Sequence, residues 1–231
     1  MQNSKGIMIR MQWRFLAVFL LLIITACYTL PLNIKNYVID PNWMQGIFLF
    51  LQYPTIHVIV IFYICFIAFS PLLDIRSLLM YRYKNRLDFV KDYVRLGLIV
   101  VSIFCLFLLI AYGVELFLLN SNVLSVPVNN FSHMSLSILA LLLNALLFFG
   151  ILFEIMLLSQ LLFHSLWIGI FVCITVPHLD YMLPFSILTK QAFFSIDKEY
   201  NFLFLLANTG YLLIIFFCMY LLLQFFIKRF E

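Results

Sequence analysis

Glu154 and His164 are the residues of this chain best placed to do chemistry. Glu154 lies deep in an apolar run, where an ionised side chain is costly and is normally either paired or functional. The sequence puts a tight turn around Ser159-Gln160, and His164 follows that turn by about as much as Glu154 precedes it. In a hairpin of that shape the two side chains face each other at similar depth. Such a pair either hydrogen-bonds two helices together or forms a coupling or proton-linked site at the cytoplasmic end of a path. Glu115, Asn144 and Asn208 are further polar residues inside apolar runs and are expected to hydrogen-bond between helices.

Other chemistries lack their residues. His57 and the His178-x-Asp180 pair are scattered singly, without the spacing of a ligand set, so neither a metal nor a cofactor is expected. No His-Glu-x-x-His, Gly-x-Ser-x-Gly or Glu-Glu-x-x-x-Arg pattern occurs, and no catalytic residue is assigned. No Gly-rich loop ends in Gly-Lys-Ser/Thr, so any ATP hydrolysis must come from another polypeptide. The five cysteines (Cys27, Cys65, Cys105, Cys173 and Cys218) form no Cys-x-x-Cys pair and read as buried small hydrophobes.

The elements that position these residues follow from composition. The chain is 65% hydrophobic and 10% charged, against roughly a quarter charged in a soluble domain, and it carries 27 Phe. Its mean hydropathy is +1.10. A helix needs about 20 apolar residues to cross a ~30 Å hydrocarbon core, and in lipid its backbone must satisfy itself. Six such runs predict an all-α polytopic membrane protein with one transmembrane domain over 1–231. The spans are 13–30, 54–73, 96–119, 135–158, 161–177 and 201–226. Pro31, Pro54, Pro71 and Pro177 fall where spans should begin or end. Arg10 and Arg14 before an apolar run resemble a signal peptide, but that run passes Cys27 to Leu30 and five more spans follow, so an uncut first span is expected. Trp43–Tyr53 is too short to cross and reads either as interfacial or as an extension of span two. His178–Asn201, interrupted by Pro184 and charges, reads as an outer re-entrant or interfacial segment.

Charge placement orients the whole. With both termini inside, eleven of the fourteen Lys/Arg lie on the cytoplasmic side, and only Lys35, Lys190 and Lys198 lie outside. The net charge of +4 is accounted for by this loop asymmetry and is no sign of nucleic acid. Six of the eleven (Arg76, Arg82, Lys84, Arg86, Lys91 and Arg95) crowd into Asp74–Arg95, between spans two and three. There Ile75, Leu79, Tyr83, Leu87, Val90 and Val94 recur at three- and four-residue spacing, giving one apolar helical face. The basic side is then either a lipid-headgroup anchor or a surface for a protein partner.

At this point the layout resembles a known family. Arg82-Tyr83-Lys84-Asn85-Arg86 between the second and third of six spans is similar to the corresponding segment of small bacterial ABC-transporter permeases of the type-two exporter class. The inside N-terminus, the short turn after span four and the outer segment before span six fit the same layout. The resemblance implies that Arg76, Arg82, Tyr83, Lys84, Arg86 and Lys91 sit on a coupling helix docked on a cytoplasmic ATPase subunit. It also implies a second permease subunit, identical or not, a bacterial plasma-membrane location, and an amphiphilic cargo such as an antimicrobial peptide or lipid. Asp88 and Asp92 depart from a purely basic segment and weaken that charge pattern. The competing expectation is an integral membrane protein that protects or scaffolds another membrane protein without a transport cycle.

Overall fold

The structure is a computed structural model that describes residues 86–119, 131–183, 186–189 and 202–229, with Leu16, Ala17, Leu20 and Ile24. Among the described residues all regular structure is helical: α1 (Arg86–Leu119), α2 (Phe131–Phe163), α3 (Leu166–Met182) and α4 (Phe202–Arg229). Two segments are long and apolar enough to cross a membrane, Leu142–Phe163 of α2 and Leu206–Lys228 of α4. Spans 13–30 and 54–73 lie outside the described residues, apart from the four named positions in the first. The chain divides into two compact units. One holds Leu16, Ala17, Leu20, Ile24 and residues 104–119 and 131–134; the other holds 86–103, 135–183, 186–189 and 202–229, and every interaction described below lies within this second unit.

Three boundaries differ from the sequence reading, each for a local reason. Ser159-Gln160 is not a turn, because α2 continues to Phe163. The Ser159 hydroxyl donates to the Ile155 carbonyl at 2.8 Å, so its polar group is absorbed by the preceding turn of its own helix. The chain reverses at His164, whose φ of 53° is the left-handed conformation that commonly terminates a helix. Ser165 then adopts extended backbone, and its carbonyl accepts the Gly169 N–H at 3.2 Å to start α3.

Pro177 does not end the fifth apolar run either. It sits inside α3, which goes on to Met182, since a proline costs an intrahelical hydrogen bond without obliging the chain to turn. The amphipathic segment before span three is not a separate helix from Arg86 onward: α1 runs from the charged turns straight into the apolar run. Of its expected apolar face, Ile75, Leu79 and Tyr83 lie outside the described residues, and the part on α1 packs at least partly against protein. Val90 and Val94 are buried together with Phe89 and Tyr93. Of the cysteines, Cys105 and Cys173 are buried as expected, whereas Cys218 is exposed on α4.

The core is aromatic and centres on α2. Phe148, Phe149 and Phe153 are fully buried there, with Phe89 from α1 also buried. Close approaches fix the neighbours of α2. A Cβ added at Gly97 of α1 would overlap the Phe153 ring, and one at Gly169 of α3 would come within 2.9 Å of the Met156 carbonyl oxygen. The Cys173 thiol of α3 donates to the Leu152 carbonyl at 3.0 Å. The span in α2 is 67% buried and that in α4 only 17%, so α2 is the packed centre and α4 turns much of its surface outward.

Candidate functional site

Polar groups buried in an apolar bundle are the natural candidates for function, and α2 carries four of them: Asn144, Glu154, Ser159 and Gln160. Asn144 has a partner. Its Oδ1 accepts a 2.7 Å hydrogen bond from Thr209 Oγ1 of α4, while its Nδ2 has none. Asn208, the residue preceding that donor, is itself buried. The expected interhelical bond therefore exists at Asn144, and the group that makes it is Thr209, which the sequence reading did not single out. Replacing Thr209 with valine and Asn144 with leucine, singly and together, is expected to reveal a coupling of about 0.6 kcal/mol, the usual scale for such bonds in membranes. Thermal unfolding of the four proteins measures it; strictly additive losses would remove the bond from the account.

Glu154 and His164 are not brought together. His164 is exposed at the turn after α2. Glu154 lies ten residues earlier on the same helix, about 15 Å along its axis. It is completely buried, and neither carboxylate oxygen has a hydrogen-bond partner. The pairing expected from the sequence depended on a turn at Ser159-Gln160, and moving the turn to His164 removes it. Gln160 is buried with its Oε1 also unpartnered.

A second polar centre closes the far end of α3. Asp180 is buried and collects hydrogen bonds from the segment that follows the helix. Its Oδ1 accepts from the Ile187 N–H at 2.7 Å. Its Oδ2 accepts from the N–H groups of Leu188 at 3.0 Å and Thr189 at 2.7 Å, and from Ser186 Oγ at 2.6 Å. The Thr189 hydroxyl also donates to Oδ2 and lies 3.3 Å from the Pro177 carbonyl. Three successive backbone N–H groups aimed at one carboxylate form the same anion-binding arrangement as the first turn of a helix. Burial by itself pushes the Asp180 carboxyl up; the bonds from Ser186, Thr189 and Ile187 outweigh it and hold the acid below its ordinary value. Asp180 is thus a staple for the chain beyond α3. The cue in the sequence was Ser186-x-x-Thr189, two hydroxyls at helix-start spacing after Pro184. Among the described residues no three His, Cys, Asp or Glu gather as a metal site.

Of the expected docking residues, Arg76, Arg82, Tyr83 and Lys84 lie outside the described residues, and Arg86 opens α1. Lys91 is exposed, 3.8 Å from the Asp88 carboxylate one turn away. An exposed pair of this kind adds little stability, and it offsets part of the basic character of the segment. Glu115 belongs to α1, but its side chain is outside the described residues.

Comparison with protein-family models, curated proteins and solved structures finds no match. Functional inference therefore rests on the helices and on the buried polar groups they carry.

Proposed function

We propose that this chain is the membrane-spanning permease subunit of an ATP-driven exporter of the ABC type, crossing the bacterial plasma membrane six times with both termini in the cytoplasm. A separate ATPase subunit docks on residues 74–95, and a second permease subunit completes the path for an amphiphilic cargo such as an antimicrobial peptide or lipid.

The observation that carries this reading is the length of α1. Its 34 residues extend about 51 Å, well beyond the ~30 Å of hydrocarbon that a span must cross. The excess falls at the end bearing Arg86, Asp88, Lys91, Asp92 and Arg95, which solvates readily. Over Arg86–Ile103 that charged end is continuous with the start of the apolar run, so force applied outside the membrane acts on the same helix that packs against α2. A surface anchor alone requires no such continuity.

The test is co-purification of the tagged chain from its native membrane. An ATPase is expected to accompany the wild-type protein and to be lost from the triple variant Arg82→Glu, Lys84→Glu, Arg86→Glu, while the variant still inserts and folds. An ATPase retained at wild-type level by the triple variant removes the docking role. Recovery of another integral membrane protein with no ATPase favours a non-transporting scaffold.

A further inference from the structure

Glu154 raises a question that the exporter reading leaves open, and its answer does not depend on that reading. The side chain has no exposed surface, and both oxygens lack a hydrogen-bond partner. Its neighbours one turn away along α2 are Gly150, Ile151, Leu157 and Leu158, all without a polar side chain. Gly150, nearly in line with Glu154 on the helix, marks what this face meets. A Cβ there would lie 3.1 Å from the Phe216 ring of α4 and 3.6 Å from Leu98 of α1. Glu154 thus lies one turn from an apolar, aromatic contact of three helices.

No described counter-charge reaches it. On α1 the charged groups Arg86, Asp88, Lys91, Asp92 and Arg95 precede Leu96, Glu115 follows Ile103 by twelve residues, and the stretch from Leu96 to Ile103 has no ionisable side chain. On α3 the Cys173 thiol is engaged with the Leu152 carbonyl, Asp180 is held by its own loop, and His178 lies two residues before Asp180. On α4 the titratable and charged groups are Tyr211, Cys218, Tyr220, Lys228 and Arg229, and none of them bonds Glu154. An isolated carboxylate in such a medium is prohibitively costly, and the carboxyl avoids the cost by taking up a proton.

We propose that Glu154 is a proton-binding site, occupied while α1, α2 and α4 are packed together and vacated only when those helices part. The proton is the ligand the geometry admits. A metal ion or cationic amphiphile needs room and further donors, and water itself does not touch this side chain. Binding forms one O–H bond on the carboxylate, with the proton drawn from water while the helices are apart. Release returns it to water once position 154 is wetted. The site thereby links proton occupancy to the closed arrangement of the bundle, without any role for His164.

Infrared difference spectroscopy of the full chain in lipid bilayers at pH 7, wild type against Glu154→Gln, reads the site directly. The expected result is a carboxylic-acid carbonyl band present in the wild type and lost in the variant, with the carboxylate bands unchanged. Loss of carboxylate absorption instead, with no change in the acid band, would overturn the proposal. Should Glu154→Gln fail to fold, the wild-type chain carrying glutamate labelled with 13C at the side-chain carboxyl gives the same reading by solid-state NMR. An acid-form resonance at pH 7, assigned through Phe153 and Ile155, supports the site; an ionised resonance at that position refutes it.

Discussion

Gly97→Ala is expected to lower the thermal unfolding midpoint sharply, although alanine is the better helix former. On propensity alone the exchange would stabilise a helix interior by roughly 0.8–1 kcal/mol. The contact reverses the sign. A Cβ at position 97 would overlap the Phe153 ring, and that ring is itself fully buried on the central helix, so it has no open space to move into. Overpacking of a filled core costs about 1–3 kcal/mol net. Phe153→Leu alone should also destabilise by leaving a cavity. In the double variant the smaller side chain makes room for the new methyl, and the combined loss is expected to fall below the sum of the singles, a favourable coupling of about 0.5–3 kcal/mol. Unfolding curves of the four proteins in one detergent decide the matter. A Gly97→Ala protein as stable as wild type would mean that α1 and α2 do not approach here.

What the sequence could disclose, and what it could not, divides along a physical line. Apolar run length is a property of composition, so the helical class was legible, and the expected spans 135–158 and 201–226 overlap the stretches 142–163 and 206–228 that are long and apolar enough to cross a membrane. The face of Asp74–Arg95 was partly legible for a similar reason: Val90 and Val94 recur at helical spacing and are buried. Their cover is protein rather than lipid, and periodicity cannot distinguish these because both are apolar. Turn position was misread because Ser and Gln are weak breakers. Ser159 satisfied itself on the Ile155 carbonyl, and the reversal fell on His164, whose left-handed backbone no propensity would assign to it. That displacement carried the candidate site with it. Glu154 was singled out correctly as a costly buried acid, but its partner was inferred from a hairpin that closes elsewhere. Asp180 was weighed as half of a metal pair because its true partners are largely backbone N–H groups, which leave no trace in residue identity.

Asp180→Ala is expected to produce the larger loss of the two substitutions argued here, with a pH dependence that identifies its cause. Removing the carboxylate strips the acceptor from the N–H groups of Leu188 and Thr189, both on buried residues, and from the Ser186 and Thr189 hydroxyls. Each buried donor left unsatisfied costs about 1–3 kcal/mol, so the two backbone groups alone imply about 2–6 kcal/mol. Asp180→Asn keeps the shape and one acceptor oxygen but loses the charge, and it should fall between wild type and alanine. The sign of the pH effect follows from the lowered pKa of the folded carboxyl. The unfolded chain takes up the proton first, near the ordinary aspartate value of about 3.9. The contribution of Asp180 is therefore fully present above that pH and is lost as pH falls through the lower folded value. Wild-type stability should decline on acidification below roughly pH 4, while Asp180→Ala and Asp180→Asn lack that part of the decline. Hydrogen exchange localises the effect, since the amides of Ile187, Leu188 and Thr189 should lose protection in both variants at neutral pH and in the wild type only in acid. If those amides stay protected in Asp180→Ala, some other group holds the segment and the staple is wrongly assigned.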